Sequence, residues 1–126
     1  MRVRKIFKGG LIKLWRTIKD FNNYQVSKGG LVRNKKTKVI IKPFINNNGY
    51  LRVNLYKNGV GYKKMVHVLI ADAFIDNPLN LTEVDHINNR RKDNRAINLK
   101  WTTHSDNIKK VWHEGKFKGR LKSKEG

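Results

Sequence analysis

Three side chains in the second half of this chain have the types and spacing for chemistry on a phosphate group. Asp85 and His86 are adjacent on a short apolar run, and Asn107 follows one small motif later. Carboxylate and amide oxygens are hard ligands that suit Mg²⁺ or Mn²⁺. An imidazole with an ordinary pKa of about 6.5 can take a proton from water at neutral pH. Together these groups could hydrolyse a phosphodiester bond with the help of one divalent cation.

The charge of the chain indicates an anionic partner. Its 126 residues include 29 Lys and Arg against 9 Asp and Glu, which gives a formal net charge of +20. Residues 1–64 hold 17 of the basic residues and one acid, residues 65–114 hold seven of each sign, and residues 115–126 hold five basic residues and one acid. A neutral segment that carries the candidate site therefore lies between two basic segments suited to a phosphate backbone.

Composition also excludes several classes of protein. The chain has no cysteine, which rules out disulfides and thiolate zinc sites and fits a reducing cytoplasm. Basic residues interrupt the apolar runs near the N-terminus, so we expect neither a secretory signal nor a membrane partner. The length suits one ordinary domain, or two small modules that share a core.

Strand and turn signals dominate the basic first half. The predicted strands cover residues 24–27, 31–33, 39–41, 50–56 and 60–66. Lys57-Asn58-Gly59 is the strongest hairpin signal, because Asn and Gly tolerate the positive φ that a two-residue turn requires. Residues 11–18 are too short and uncapped to predict a helix.

The strand at 50–56 has two different faces. Leu51, Val53 and Leu55 alternate with a set of polar and aromatic residues, Tyr50, Arg52, Asn54 and Tyr56. This second face is suited to lying on DNA, although an ordinary solvated face has the same pattern.

The neutral segment predicts a helix followed by a strand, a loop, a second strand and another helix. The first helix covers residues 67–74, the strands cover 82–87 and 99–102, and the loop covers 88–97. Thr103 and Asp106 have the spacing of a capping box that opens the second helix. The predicted fold class is therefore α+β, a small antiparallel β-sheet module followed by a ββα unit. We predict three segments: a β-rich DNA-binding module at 1–64, a nuclease domain at 65–114 and a basic tail at 115–126.

The order of these motifs resembles a known family. The run VHVLIADAFIDNP from Val66 to Pro78, then VDHINN at 84–89, NLKW at 98–101 and Asn107 resemble the phage- and intron-encoded HNH nucleases. Upstream, the pattern W-x-x-I-x-x-F-x-x-Y-x-V-S at 15–27 resembles the type 4 nuclease-associated module that often precedes this domain. The resemblance implies the ββα-metal fold of these enzymes and no small-molecule cofactor.

The resemblance also implies roles for single residues. His86 matches the general base, Asp85 and Asn107 match the ligands of one Mg²⁺ or Mn²⁺, and Asn98 matches the asparagine that braces the loop and orients the base. One departure is the basic triplet Asn89-Arg90-Arg91, where the family usually has Gly-Asn. His67 is interpreted as a structural, hydrogen-bonded histidine rather than a catalytic one.

The expected function is that of a metal-dependent endonuclease acting on double-stranded DNA, by nicking or by double-strand cleavage. We expect phage or mobile-element origin and action in the cytoplasm of a bacterial host; the chain could be a monomer or a dimer. The candidate DNA contacts are Arg52, Lys57, Lys63, Lys64, Arg90 and Arg91. Two alternatives stay open, a DNA-binding protein that has lost catalysis and a basic RNA-binding protein.

Overall fold

The computed structural model describes residues 14–106, which form three small antiparallel sheets that all contact the helix at Val66–Phe74. The elements are β1 (Trp15–Ile18), β2 (Phe21–Ser27), β3 (Val32–Asn34), β4 (Phe44–Ile45), β5 (Leu51–Lys57), β6 (Val60–Met65), α1 (Val66–Phe74), β7 (Glu83–His86) and β8 (Leu99–Thr102). The predicted α+β class is confirmed. No helix among residues 14–106 is long and apolar enough to cross a membrane.

The first sheet has the order β1-β2-β3 and begins earlier than the sequence predicted. Strand β1 comes from the segment 11–18, where no helix was predicted, and Ile18 at its end is buried. The turn between β2 and β3 is closed by a hydrogen bond from the Gly30 amide to the Ser27 carbonyl at 3.0 Å. Gly30 has a φ of 95°, a conformation that an L side chain rarely adopts.

The second sheet is the predicted hairpin with one short strand added, in the order β4-β5-β6. Its turn consists of two residues, Asn58 with φ 53° and Gly59 with φ 80°, between the paired residues Lys57 and Val60. Positive φ at both central residues matches the right-handed twist of the flanking strands. The predicted alternation in β5 is confirmed, since Val53 and Leu55 are fully buried.

The predicted strand at 39–41 is wrong. Ile40 makes a single bridge to Arg33, and Val39 and Ile40 are 60% and 46% exposed. Two backbone hydrogen bonds join this run to β3, but Pro43 follows at once and cannot donate to a ladder. Ile41 is partly buried against the core, but the exposed Val39 and Ile40 have little packing to stabilise an extended strand.

Helix α1 connects the two halves of the described chain. It contacts β1, β2, β5 and β6 from the first half and β7 and β8 from the second. The core is a single cluster drawn from α1 and from β1, β2, β3, β5, β7 and β8: Ile18, Phe21, Tyr24, Val26, Val32, Val53, Leu55, Val66, Ile70, Ala71, Val84 and Leu99. The strands that carry the candidate site are therefore fixed against the basic first half.

Strands β7 and β8 pair with His86 opposite Leu99 and Asp85 opposite Lys100. The connection between them is a polar loop that ends in a 3-10 turn at Ala96–Asn98. A helix begins at His104, and Thr103 caps it by accepting a hydrogen bond from the Asp106 amide at 3.0 Å. The predicted cap is confirmed, whereas the rest of that predicted helix lies outside the described residues.

Candidate active site

Asp85 and His86 lie at the end of β7 and are both buried. Their residues are 8% and 4% exposed, although successive side chains of a strand point to opposite faces. The preceding Val84 belongs to the core, which holds this end of β7 in place. A buried carboxylate next to a buried imidazole is costly for a fold and is typical of a functional site.

The imidazole of His86 is held by an asparagine that the sequence analysis missed. The Nε2 atom of His86 lies 2.8 Å from Oδ1 of Asn94, and Asn94 is 4% exposed. An amide oxygen can only accept a hydrogen bond, so Nε2 carries the proton and donates it. In the neutral ring the lone pair then lies on Nδ1, which is the atom able to take a proton from water.

Two further rings pack against His86. Tyr50 stacks on it at 5.9 Å between ring centroids, and His67 lies at 4.8 Å with a tilt of 45° between the rings. Tyr50 also stacks on His67 at 5.0 Å. Tyr50 was predicted to lie on a face of β5 that suits either DNA or solvent, and the sequence carries no signal for this contact.

His67 was interpreted as a structural, hydrogen-bonded histidine, but its Nδ1 atom does not fit that interpretation. The residue is 7% exposed, and its Nδ1 atom has no hydrogen-bond partner among residues 14–106. Burial, together with the neighbouring His86, lowers the pKa of His67 to about 4. Its ring is therefore neutral at pH 7.

The pKa of His86 is also lowered from its ordinary value. Burial is the largest cause; the hydrogen bond that His86 donates to Asn94 and the charges of Asp85 and Asp93 act in the opposite direction, and Arg91 adds to the lowering. A base must be unprotonated to accept a proton. The environment of His86 therefore favours the form that can act as a base at neutral pH.

Asn98 braces the loop between the two strands. Its Oδ1 atom accepts a hydrogen bond from the Asn88 amide at 3.0 Å. Its Nδ2 atom donates to Asn88 Oδ1 at 3.0 Å and to the Asp93 carbonyl at 2.9 Å. These bonds tie both ends of the loop together, whereas the amide that contacts the imidazole is that of Asn94. The catalytic role of Asn98 stays a prediction.

The loop is also docked on the first half of the chain. The Ala96 amide donates to the Lys28 carbonyl at 2.8 Å. A Cβ atom added to Gly30 would lie 3.0 Å from the backbone carbon and oxygen of Asn94. The β2–β3 turn therefore approaches the residue that holds the base as closely as a glycine allows.

Arg91 makes a second connection between the two halves. Its Nη1 atom donates to the Asn48 carbonyl, and its guanidinium lies 4.9 Å from the centroid of the Tyr50 ring. Arg91 was predicted to contact DNA, and in this structure its side chain contacts the protein itself. Its role in DNA binding stays a prediction, as does that of the exposed Arg90.

The other predicted DNA contacts lie on two different faces of the β5–β6 hairpin. Lys64 lies opposite the buried Val53, so it shares the core-facing side of the sheet, and so by alternation does Lys57. The Nζ atoms of Lys57 and Lys64 lie 5.6 and 5.3 Å from the Phe21 ring centroid. Arg52 and Lys63 lie on the opposite face. The structure therefore does not bring these four residues to one surface.

The donor atoms present fit a magnesium ion better than zinc. Asp85 supplies a carboxylate, and residues 14–106 contain no group of three or more His, Cys, Asp and Glu side chains placed to hold a metal ion by themselves. Mg²⁺ is commonly held by one or two carboxylates, with waters and substrate phosphates completing its shell. The other predicted ligand, Asn107, lies outside the described residues, so the ligand pair stays a prediction.

Comparisons with known proteins indicate the family of this chain. Residues 14–56 match the NUMOD4 motif. Two uncharacterized HNH endonucleases of Acanthamoeba polyphaga mimivirus are 36% and 38% identical over 91 and 101 residues, covering 72% and 76% of this chain. The DNA endonuclease I-HmuI of Bacillus phage SP01 is 33% identical over 102 residues, or 80% of this chain.

The solved structure of I-HmuI is also similar to the structure of this chain. The solved structure titled "DNA binding and cleavage by the HNH homing endonuclease I-HmuI" superposes with a TM-score of 0.73 at 34% identity and covers 80% of this chain. This chain spans only part of each relative, 28% and 25% of the two mimivirus proteins and 59% of I-HmuI.

Proposed function

Since this chain belongs to the HNH endonuclease family, we propose that it hydrolyses phosphodiester bonds in double-stranded DNA with the help of a divalent cation. The observation that carries the proposal is the buried His86, neutral and held by Asn94 in the tautomer that leaves the lone pair on Nδ1. Such an imidazole is prepared to take a proton from a water molecule.

In the proposed reaction, His86 Nδ1 accepts a proton from water as the water oxygen attacks the scissile phosphorus. The bond from phosphorus to the 3′ oxygen breaks, which leaves a 5′-phosphate and a 3′-oxygen that takes a proton from solvent, and His86 then returns its own proton to solvent. Asn94 keeps Nε2 protonated throughout and so fixes which ring nitrogen reacts. A positioned general base of this kind contributes about 10²–10⁴-fold in rate.

Asp85, together with Asn107, would hold the cation. Carboxylate and amide oxygens suit Mg²⁺ or Mn²⁺. When bound, the cation neutralises the negative charge that develops on the phosphate and on the leaving oxygen.

The outer face of the β5–β6 hairpin is the best candidate surface for the DNA backbone. It carries Arg52, Asn54, Tyr56 and Lys63. Tyr50 continues the alternation of Arg52 and Asn54 on this face, and its ring contacts His86. A duplex lying along this face would lead directly to the base. One site per chain would produce a nick, and cleavage of both strands would require a second copy or a second docking event.

The likeness to a Bacillus phage enzyme supports phage or mobile-element origin and action in the cytoplasm of a bacterial host. The chemistry proposed for Asp85 and His86 depends neither on the origin of the protein nor on its location in the cell.

The test is a nicking assay on supercoiled plasmid in Mg²⁺, Mn²⁺ or EDTA. The wild type should convert plasmid to the open-circular form with either metal and not in EDTA. His104→Ala is a matched control that removes a histidine whose side chain is 76% exposed, and it should cut like the wild type. Binding of a duplex without cleavage in either metal would leave the alternative of an inactive DNA-binding protein.

A further inference from the structure

We infer that Tyr50 is a positioning residue for His86, so that the NUMOD4 segment supplies a part of the nuclease site. The inference rests on the proposed function, because it concerns the same base. Tyr50 lies within residues 14–56, which match the NUMOD4 motif, and its ring stacks on His86 at 5.9 Å with 28° between the ring planes.

The backbone of Tyr50 is fixed by the turn that precedes β5. The Asn46 side chain accepts hydrogen bonds from the Tyr50 and Asn48 amides, both at 2.9 Å, and the Asn46 amide donates to the Tyr50 carbonyl at 2.9 Å. Gly49 completes the turn with a φ of 84°. A ring whose backbone is held by this many bonds is a rigid surface against which another ring can rest.

The ring of Tyr50 contacts three side chains of the second half of the chain. It stacks on His67 at 5.0 Å with 23° between the planes, in addition to its contact with His86, and the Arg91 guanidinium lies 4.9 Å from its centroid. Arg91 also donates to the Asn48 carbonyl in the same turn. Arg91, in the loop between β7 and β8, thus holds the turn, and Tyr50 of the turn packs against the base.

A positioning role and a DNA contact predict different kinetics for the same substitution. Asn94 fixes one atom of the His86 ring, and a flat neighbour such as Tyr50 limits the rotation of the ring about that hydrogen bond. A base that swings away by about 1 Å loses on the order of 10²-fold in rate. A tyrosine that contacted DNA would instead contribute to affinity.

The experiment compares Tyr50→Ala, Tyr50→Phe and Tyr62→Ala in the full chain. Tyr62 is the matched control, because it also makes an aromatic contact from the hairpin, 5.6 Å from Phe21. Single-turnover nicking of supercoiled plasmid gives the rate at saturating protein and the protein concentration for half-saturation. We expect Tyr50→Ala to lower the rate about 10- to 100-fold with little change in half-saturation, and Tyr50→Phe and Tyr62→Ala to match the wild type.

A change in half-saturation with an unchanged rate for Tyr50→Ala would overturn the inference and place Tyr50 on the DNA. A second measurement does not depend on activity: the ring proton shifts of His86 by NMR. Removal of the stacked ring should move these shifts in Tyr50→Ala, and Tyr50→Phe should largely restore them. Unchanged His86 shifts in Tyr50→Ala would also overturn the inference. If the wild type did not cut DNA, the proposed function would be wrong. The NMR result would still show whether the Tyr50 ring stacks on His86.

Discussion

Replacement of His67 by phenylalanine should make the fold less sensitive to acid. His67 is 7% exposed, and its Nδ1 atom has no hydrogen-bond partner among the residues that the structure describes. Burial lowers its pKa from 6.5 to about 4. Between these two values the unfolded chain binds a proton at this position and the folded chain does not.

The sign and size of the effect follow from this difference. Because the unfolded state binds more protons, the free energy of unfolding falls as the pH drops below about 6.5. Linkage gives a loss of about 2 kcal/mol from His67 alone by pH 5. His86 also has a lowered pKa, and it contributes in the same direction in every variant that retains it.

The measurement is urea unfolding of the wild type, His67→Phe and Tyr50→Phe at pH 7.5 and pH 5.0. Each protein is compared with itself at the two pH values, which cancels the packing difference between the two side chains. His67→Phe should lose about 2 kcal/mol less than the wild type between these conditions. Tyr50→Phe keeps the aromatic ring above the histidine, and it should behave like the wild type. Equal losses in the wild type and His67→Phe would show that the histidine is not buried in its neutral form.

Four other perturbations should have measurable effects. His86→Ala should lower the nicking rate by about 10²–10⁴-fold with DNA affinity nearly unchanged, and a wild-type rate would remove His86 as the base. Asn94→Ala should lower the single-turnover rate about 10- to 100-fold because it frees the imidazole tautomer; a rate equal to that of the wild type would contradict this assignment. Gly59→Ala should destabilise the fold by the ~1–2 kcal/mol of strain expected for a left-handed residue. Gly30→Ala should destabilise it by more, because the added Cβ atom also meets the Asn94 backbone. Equal urea midpoints for the two variants would refute the close approach at Gly30. Affinity for a duplex should fall roughly 10³–10⁵-fold between 50 and 200 mM salt if six to ten basic side chains, mostly from residues 1–64, reach phosphates; a filter-binding titration that shows a flat dependence would exclude this mode.

The parts of the fold that the sequence predicted well are those set by local chemistry. Asn58 and Gly59 determine a two-residue hairpin by themselves, and the alternation of Val53 and Leu55 decides which face of β5 is buried. The cap at Thr103 is another local signal. The prediction of a strand at 39–41 was wrong because β propensity depends on side-chain packing, and Val39 and Ile40 are exposed.

The candidate site was predictable only in part. The adjacency of Asp85 and His86 is visible in the sequence, whereas the groups that hold the imidazole come from a turn 36 residues upstream and from an irregular loop. Tyr50 shares an alternating pattern with DNA-facing residues, and one of several loop asparagines, Asn94, reaches the ring. Such contacts depend on how separate elements dock, which no local pattern encodes.

The docking of the β7–β8 loop on the β2–β3 turn limits which segments of this chain can be exchanged with those of its relatives. The Lys28 carbonyl and the close approach at Gly30 connect that sheet to the loop through backbone atoms. A chimaera that exchanged residues 14–56 for those of another protein would also replace these contacts and the tyrosine beside His86. A successful exchange would have to preserve the β2–β3 turn and the Asn46–Tyr50 turn and vary only the outer face of the hairpin.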